Sequence, residues 1–190
     1  MPTDYRQATY ADRSAIADLH AESWRRSYRG AYRDEFLDGP VFDERRAVWE
    51  KRLGGPPANQ FVVVAEQESR IIGFACAYGG DDSRWGTLLD NIHVRPELHG
   101  RGIGTGLVAE VVAWCLEHHP DCGLWLWVVG QNHGARRFYE RLGATDSGAE
   151  LRPPSAGGGE PREVHRYVWA TLDAVRVDRA EARAKTRDAR

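Results

Sequence analysis

The stretch NIHVRPELHGRGIGTGL, residues 91–107, decides the fold and carries the clearest functional signal. An apolar strand pattern runs into a loop with a glycine at every second position from Gly100 to Gly106, and the loop opens into a helix. Glycines let backbone N–H groups approach an anion, and the first N–H groups of a helix lack intrahelical partners. The sequence therefore predicts a phosphate site, to which Arg101 can add positive charge. A glycine-rich turn that only starts the helix is the structural alternative.

Two common phosphate-binding loops do not match this spacing. A P-loop needs Gly-Lys-Ser/Thr after its glycines, and the stretch contains no lysine. The dinucleotide pattern Gly-x-Gly-x-x-Gly fails because successive glycines are each two residues apart. The loop therefore argues against a nucleotide triphosphatase and against a dinucleotide-dependent enzyme.

The loop resembles the phosphate loop of the GNAT superfamily of acyl-CoA-dependent N-acyltransferases, with its pattern Gln/Arg-x-x-Gly-x-Gly/Ala. Residues 99–104 fit this pattern except at the first position, where a histidine replaces Gln or Arg. The resemblance implies that acetyl-CoA is the cosubstrate, that loop N–H groups hold its pyrophosphate, and that the preceding strand pairs with its pantetheine amides as with an added strand. The implied cofactor-binding residues here are Ile92, His93, Val94, His99, Gly100, Arg101, Gly102, Ile103, Gly104 and Thr105.

A second block, LWLWVVGQNHGARRFYERLGA at residues 124–144, resembles the strand and helix that follow in the same family. The resemblance implies that Asn132 and Ala135 contact the cofactor and that Tyr139 is the general acid for the departing thiolate. The structural alternative for Tyr139 is a core position on the apolar face of an amphipathic helix. The implied reaction is direct transfer of an acetyl group to an amine, without an acyl-enzyme intermediate.

The general base is less clearly indicated. An amine is protonated at neutral pH and must lose a proton before it attacks. Asp90 is the first candidate, because it shares strand parity with Ile92 and Val94 and resembles an acidic position of some aminoglycoside-modifying members. A strand-end aspartate that makes ordinary polar contacts is the alternative. Further candidates are Glu22, His93 and His99.

The substrate should be recognised by the N-terminal helices, with Glu22, Trp24 and Tyr28 as candidate substrate-binding residues. They belong to an aromatic and acidic group that could receive a cationic amine by charge and cation–π contact; its other members are Tyr32, Asp34, Glu35 and Asp38. The structural alternative is aromatic helix packing with solvated acids between the rings. The leading hypothesis is a small-molecule amine N-acetyltransferase. A peptide or protein N-acetyltransferase and a noncatalytic coenzyme A-binding regulatory module are the alternatives.

Hydrophobic periodicity indicates strands that alternate with helices, which is typical of an α/β fold. The resemblance to the family implies a mixed central sheet of six to seven strands, flanked by helices and splayed at the acetyl-CoA site. The expected strands are residues 4–9, 61–65, 71–78, 88–94, 123–129 and 164–170, and the expected helices include residues 24–37, 43–53, 102–117 and 133–142.

Length and composition set the remaining expectations. The 190 residues suit a single domain over 1–170, followed by a charged tail over 171–190 that is helical or frayed. With 26 basic and 28 acidic residues, the net charge of −2 disfavours a nucleic-acid-binding module. The longest uncharged apolar stretch, residues 122–129, is too short to span a bilayer. The N-terminus has no secretory signal pattern, so a cytoplasmic location is expected.

Metal binding and assembly complete the expectations. The run HHPDC at residues 118–122 is more typical of a helix end than of a metal site, so no metal is expected. The three cysteines fit reduced thiols better than a disulfide framework. A homodimer is left open.

Overall fold

The central sheet of the chain has seven strands and is mixed in direction. We describe it from a computed structural model, which covers residues 2–153 and 160–177. The strands are β1 (Asp4–Gln7), β2 (Gln60–Gln67), β3 (Arg70–Asp82), β4 (Gly86–Val94), β5 (Leu124–Val129), β6 (Thr145–Arg152) and β7 (Arg162–Trp169). They lie in the order β1-β2-β3-β4-β5-β7-β6, and only the β4–β5 pair is parallel. The predicted α/β class is confirmed.

Helices cover both faces of this sheet. They are α1 (Arg13–Ser27), α2 (Asp34–Leu37), α3 (Val41–Gly54), α4 (Ile103–His118) and α5 (His133–Arg141). Val62 and Val64 of β2 pack with α1 and α3, whereas Val63 and Ala65 belong to the core beneath α4. Because β2 is buried on both faces, its sequence is continuously apolar rather than alternating.

Two elements differ from the sequence-based expectation. The helix expected over residues 24–37 is interrupted, since α1 ends at Ser27 and α2 has four residues. Gly30 lies in the intervening turn with φ 78°, a left-handed conformation that glycine adopts readily. Strand β6 was not expected at all: its eight residues are all exposed and show no apolar alternation, and it is held by antiparallel pairing with β7.

The sheet is splayed between β4 and β5, as expected. These strands pair at Thr87 with Leu124 and at Leu88 with Trp125, and their later residues are not paired with each other. At the base of the divergence, Gly86 has φ 87°, and a Cβ atom on it would lie 2.4 Å from the carbonyl oxygen of Gly123. The two backbones therefore touch just before the two paired residues that precede the gap, and glycine is required for that contact.

Strand β4 carries an extra residue, Asp90. The register between β3 and β4 shifts between Cys76 and Ala77, which pair with Asn91 and Leu89. A bulge of this kind leaves one residue unpaired and changes the direction of its side chain. Side-chain alternation along β4 is therefore interrupted at Asp90.

The packed part of the chain extends beyond residue 170. Leu172 and Val175 are each 3% exposed and belong to the core beneath α4. Residues 178–190 of the predicted tail lie outside the described residues. In the part of the chain that the structure describes, no helix is both long enough and apolar enough to cross a membrane.

Candidate active site

A cavity of about 800 Å³ opens where β4 and β5 diverge. It brings together nearly all the residues that the sequence singled out. Those on its wall are Trp24, Tyr28, Asp90, Ile92, His93, Val94, His99, Gly100, Gly102, Ile103, Gly104, Thr105, Asn132, Ala135 and Tyr139. The structure places Glu22 and Arg101 outside the wall, and Arg101 is exposed.

The loop before α4 presents bare backbone to this cavity. Gly100 and Gly102 have φ 77° and 81°, and a Cβ atom on either would meet nothing within 4 Å. Glycine is therefore required at these two positions by the left-handed backbone conformation and not by neighbouring atoms. Helix α4 begins with Gly106 N–H donating to the Gly102 carbonyl at 2.9 Å. The N–H groups of residues 103–105 thus lack intrahelical acceptors, and the helix dipole favours an anion beside them.

The other two glycines of the loop serve packing. A Cβ atom on Gly104 would lie 3.3 Å from the Phe138 ring, and one on Gly106 would lie 2.1 Å from the Tyr5 hydroxyl oxygen. Tyr5 Oη also donates to the Ile103 carbonyl at 3.4 Å. Two of the four glycines, Gly104 and Gly106, are therefore explained by packing and not by phosphate binding.

The free edge of β4 faces the gap. Arg95 N–H donates to the Ile72 carbonyl of β3 at 2.9 Å. Because ladder groups alternate in direction, the backbone groups of Ile92 and Val94 point away from β3. The Val94 carbonyl lies 2.9 Å from His99 Nε2, so that nitrogen carries the proton and donates. His99, the residue that departs from the family pattern, thus fixes the start of the loop.

Asn132 begins helix α5. Its side-chain Oδ1 accepts the N–H of Ala135 at 3.1 Å, which satisfies one of the unpaired donors of the first turn. A contact from Asn132 to a cofactor would therefore use its Nδ2 donors.

Tyr139 lies on α5 and is 6% exposed. Its ring packs against Tyr167 and Trp169, with centroids 6.1 Å apart in each case. Burial, together with the neighbouring Tyr28, raises the pKa of Tyr139 far above its usual value. The hydroxyl is therefore protonated at neutral pH and is suited to donate a proton.

Asp90 is ion-paired on the cavity wall. Its Oδ2 lies 2.7 Å from Arg52 Nη2 and accepts Asn91 Nδ2 at 3.0 Å. Arg52 belongs to α3, whereas Ile92 and Val94 pack on the opposite face against the core beneath α4. The expectation that Asp90 shares strand parity with Ile92 and Val94 is therefore wrong, because the bulge intervenes.

His93 lies in a cluster of rings beneath α1. Its ring centroid is 4.6 Å from that of His20 and 5.3 Å from that of Phe74. Burial, with a contribution from the charge of Arg45, lowers the pKa of His93 to about 3. His20 is 1% exposed and accepts Trp49 Nε1–H at 3.0 Å through Nδ1. Both imidazoles are therefore neutral at physiological pH. His20 was not among the predicted site residues, because no sequence motif marks it.

The acidic members of the predicted substrate group turn away from the cavity. Glu22 Oε2 pairs with Arg95 Nη1 at 3.2 Å, and the Glu22 side chain is 45% exposed. Asp34 and Asp38 both pair with Arg29 on the surface. The structure therefore does not bring these carboxylates to the site.

Of the aromatic members, Trp24 and Tyr28 line the cavity, whereas Tyr32 lies outside its wall. The Arg45 guanidinium lies 4.2 Å from the Trp24 ring centroid. Trp127 of β5 lines the same cavity. Its ring has Arg152 at 4.1 Å and Arg166 at 4.3 Å. The sequence indicated the rings but not these arginines, which come from distant elements.

A metal site does not emerge from the geometry. Over residues 2–153 and 160–177, no group of three or more His, Cys, Asp or Glu side chains is arranged to hold a metal ion. His118 instead contacts the carbonyl of Trp114 through Nδ1 at 3.0 Å, at the end of α4.

Residues 17–144 match the model of the acetyltransferase (GNAT) family. An uncharacterized N-acetyltransferase of Archaeoglobus fulgidus is 32% identical over 105 residues, which cover 51% of this chain and 63% of that protein. The match thus spans less than two thirds of that relative's length. The 5-NmdU N-acetyltransferase of Pseudomonas phage PaMx11 is 30% identical over 139 residues, which cover 73% of this chain and 89% of that protein.

The fold also agrees with a solved structure. The structure of yncA from Salmonella typhimurium with its cofactor acetyl-CoA superposes with a TM-score of 0.65 at 20% identity. The superposition covers 91% of this chain and 95% of that one. This likeness shows that the two proteins share the splayed, mixed sheet.

Proposed function

Because the chain belongs to the GNAT family of acetyltransferases, we propose that it transfers the acetyl group of acetyl-CoA directly to a primary amine of a small molecule. One observation carries the proposal. The single cavity between β4 and β5 combines an anion-binding helix start, a free strand edge and a buried tyrosine that stays protonated. Each of these suits one part of the reaction.

The cofactor would bind along β4 and the loop that follows it. The N–H groups of residues 101–105 would hold the pyrophosphate, since glycine keeps side chains away from them. The pantetheine amides would pair with the backbone of Ile92 and with the N–H of Val94, as an added strand does. His99 already donates to the Val94 carbonyl, so we expect this carbonyl to contribute less.

Two side chains on the cavity wall, Tyr139 and Asp90, would transfer the protons. The amine nitrogen attacks the thioester carbonyl carbon, so that an N–C bond forms and the C–S bond breaks. Tyr139 gives its hydroxyl proton to the leaving sulfur. Asp90 takes the proton that the amine loses, and exchange through solvent returns a proton to Tyr139. No covalent bond to the protein is formed.

Asp90 is the preferred base for two reasons. It is the only carboxylate on the cavity wall among the described residues. His93 also lies on the wall, but its pKa of about 3 makes the protonated imidazole unfavourable. Arg52 Nη2, 2.7 Å from Asp90 Oδ2, holds this carboxylate in place on the wall.

Three aromatic rings on the cavity wall favour a small molecule over a protein tail. The rings of Trp24, Tyr28 and Trp127 line a concave cavity of about 800 Å³, a kind of site that small ligands fill. A peptide substrate would require an open groove. The cytoplasmic location stays a prediction.

Isothermal titration of the purified protein with acetyl-CoA tests the first step, with NAD and ATP as controls. We expect selective binding of acetyl-CoA. A screen of amines by thiol release then tests turnover, and Tyr139→Phe should lower kcat roughly 100-fold with acetyl-CoA affinity near wild type. Binding without turnover of any amine would favour the regulatory module. No binding of acetyl-CoA or coenzyme A would overturn the proposal.

A further inference from the structure

A second cavity, of about 580 Å³, lies beside the first. It is formed by the turn between α1 and α2, the end of β5 and the start of β7. Its lining includes Tyr32, Arg33, Gln131, Arg162 and Glu163. The linings of the two cavities are adjacent, because the Tyr28 ring of the first lies 5.7 Å, centroid to centroid, from the Tyr32 ring of the second.

Arg162, the first residue of β7, is the unusual member of this lining. It is 8% exposed, and its guanidinium carbon lies 3.9 Å from the Tyr32 ring centroid. Its Nη1 donates to the Ala31 carbonyl over a long 3.4 Å. Within residues 2–153 and 160–177, no carboxylate oxygen lies within 4.0 Å of its nitrogens.

Other well-buried arginines of the molecule are ion-paired. Arg45 is also 8% exposed and pairs with Glu44 through two nitrogens. Arg52 pairs with Asp90 at 2.7 Å. Removing a cation from water without a paired anion is strongly unfavourable. Arg162 therefore lacks the counter-charge that its neighbours in the fold possess, and it lacks it where an open cavity gives an anion room to bind.

The carboxylates of the same cavity do not neutralise Arg162. Glu163 also lines the second cavity, but its side chain is 62% exposed, and its Oε1 contacts His165 Nε2 at 3.0 Å. Glu160 is exposed.

Arg162 lies close to the proposed chemistry. Its guanidinium stacks on Tyr32, and the Tyr32 ring centroid is 5.7 Å from that of Tyr28 on the wall of the first cavity. A single small ligand could place an amine in the first cavity and an anionic group in the second.

We propose that the acceptor carries an anionic group, a carboxylate or a phosphate, which binds Arg162 in the second cavity while its amine reaches the thioester in the first. This inference rests on the acetyl-transfer function proposed above. It replaces the expectation that an acidic group of the N-terminal helices receives a cationic amine, because Glu22, Asp34 and Asp38 pair with arginines outside the two cavities. Simple amines and polyamines should therefore be poor substrates.

Matched pairs of amines test the substrate class. Tyrosine is compared with tyramine for a carboxylate, O-phosphoethanolamine with ethanolamine for a phosphate, and spermidine serves as a cationic acceptor. We expect at least one member that carries the anion to exceed its counterpart without the anion in kcat/KM by tenfold or more. The pair that responds distinguishes the two anions. In Arg162→Gln the ratio should fall close to one, and Arg162→Lys should restore part of it.

Arg13→Gln is the matched control. The Arg13 guanidinium also stacks on a tyrosine, 4.0 Å from the Tyr10 ring centroid, but it pairs with Glu50 at 2.8 Å and lines neither cavity. The anion preference should be unchanged in this variant. Thermal unfolding provides a readout without turnover: acetate or inorganic phosphate, at ionic strength matched with sodium chloride, should raise the Tm of the wild type and of Arg13→Gln but not that of Arg162→Gln.

The outcomes separate the two proposals. Efficient acetylation of tyramine, ethanolamine or spermidine, with no gain from the added anion, would overturn the inference and leave the acetyltransferase function intact. Equal stabilisation of wild type and Arg162→Gln by acetate and phosphate would also overturn it. Absence of acetyl-CoA binding would remove the function itself, whatever the anions do. A large loss of stability in Arg162→Gln without any anion would assign Arg162 a structural role and contradict the proposal.

Discussion

The two walls of the active cavity are built in different ways. The proposed cofactor wall, residues 92–105 with the start of α5, is almost one continuous segment and offers backbone groups. The proposed acceptor wall is assembled from the end of α1, β5 and β7 and offers side chains: Trp24, Tyr28 and Trp127 line the active cavity, and Arg162 lines the second cavity beside it. A substitution on the first wall acts by changing the backbone, and one on the second acts by removing a contact. Substitutions on the first wall should therefore change KM for acetyl-CoA, and substitutions on the second should change KM for the amine.

The largest effect is expected at Asp90, on the wall of the first cavity. Asp90→Asn removes the proposed base, so kcat should fall roughly 100- to 1,000-fold at neutral pH. Activity should recover as pH rises toward the pKa of a free amine, about 10.4 for a lysine-like group, because the amine then loses its proton to solvent. Steady-state rates over a pH series check this.

Asp18→Asn is the control for that measurement, because Asp18 is also paired with an arginine, Arg46, at 3.0 Å, but lies on the surface. Its rates should match the wild type. A pH profile of Asp90→Asn parallel to that of the wild type would remove Asp90 from proton transfer.

A pair of glycine variants distinguishes the walls most directly. Gly102 and Gly30 have nearly the same φ, 81° and 78°, and a Cβ atom on either meets nothing within 4 Å. Alanine at either position should cost about 1 kcal/mol of unfolding free energy, since both are left-handed. Gly102→Ala should raise KM for acetyl-CoA about tenfold, whereas Gly30→Ala, beside the second cavity, should raise KM for the amine. Equal effects of both variants on both constants would mean that the walls are not independent.

A smaller effect is expected at Trp24. Trp24→Leu removes a ring from the acceptor wall and should raise KM for the amine about three- to tenfold, a typical aromatic contribution, with KM for acetyl-CoA unchanged. Trp114→Leu is the control, because Trp114 stacks on Phe61 away from the cavity. An altered acetyl-CoA KM in Trp24→Leu would show that Trp24 belongs to the other wall.

The smallest effect is expected at Asn132. Asn132→Ala removes the cap of α5 and should lower the unfolding free energy by about 1 kcal/mol, with a rise of about threefold in KM for acetyl-CoA. Asn132→Asp keeps a capping oxygen but lacks the Nδ2 donors. It should recover the stability, measured by denaturant unfolding, without recovering KM. If it recovers both, the residue acts through the helix alone.

The contrast between the walls also explains what could be predicted from the sequence. The residues of the cofactor wall are close together in the sequence. Glycine spacing and the strand–helix junction therefore indicated this wall. Strand β6 has no apolar residue pattern because all of it is exposed, and its position depends on β7. The bulge at Asp90 follows from the register between two strands. A single strand's sequence does not contain that register, so the predicted parity failed.

The acceptor wall was only half predicted, for a related reason. Trp24 and Tyr28 were found because aromatic rings stand out in a helical sequence. Arg162 was not, because a long cationic side chain at a strand start is normally exposed and becomes unusual only when burial and partners are known. The break between α1 and α2 had one local signal, Gly30, which a continuous helical pattern outweighed.

The contact between Gly86 and Gly123 at the base of the gap has a dynamic consequence. Two backbones that touch without side chains, with two paired residues beyond them, form the short main-chain junction between β1–β4 and β5–β7 within the sheet. A ligand that pairs with the free edge of β4 would act as a bridging strand. Amide hydrogen exchange at Ile92 and Val94 should then slow when acetyl-CoA binds, and the two halves of the sheet should exchange as one cooperative unit instead of two.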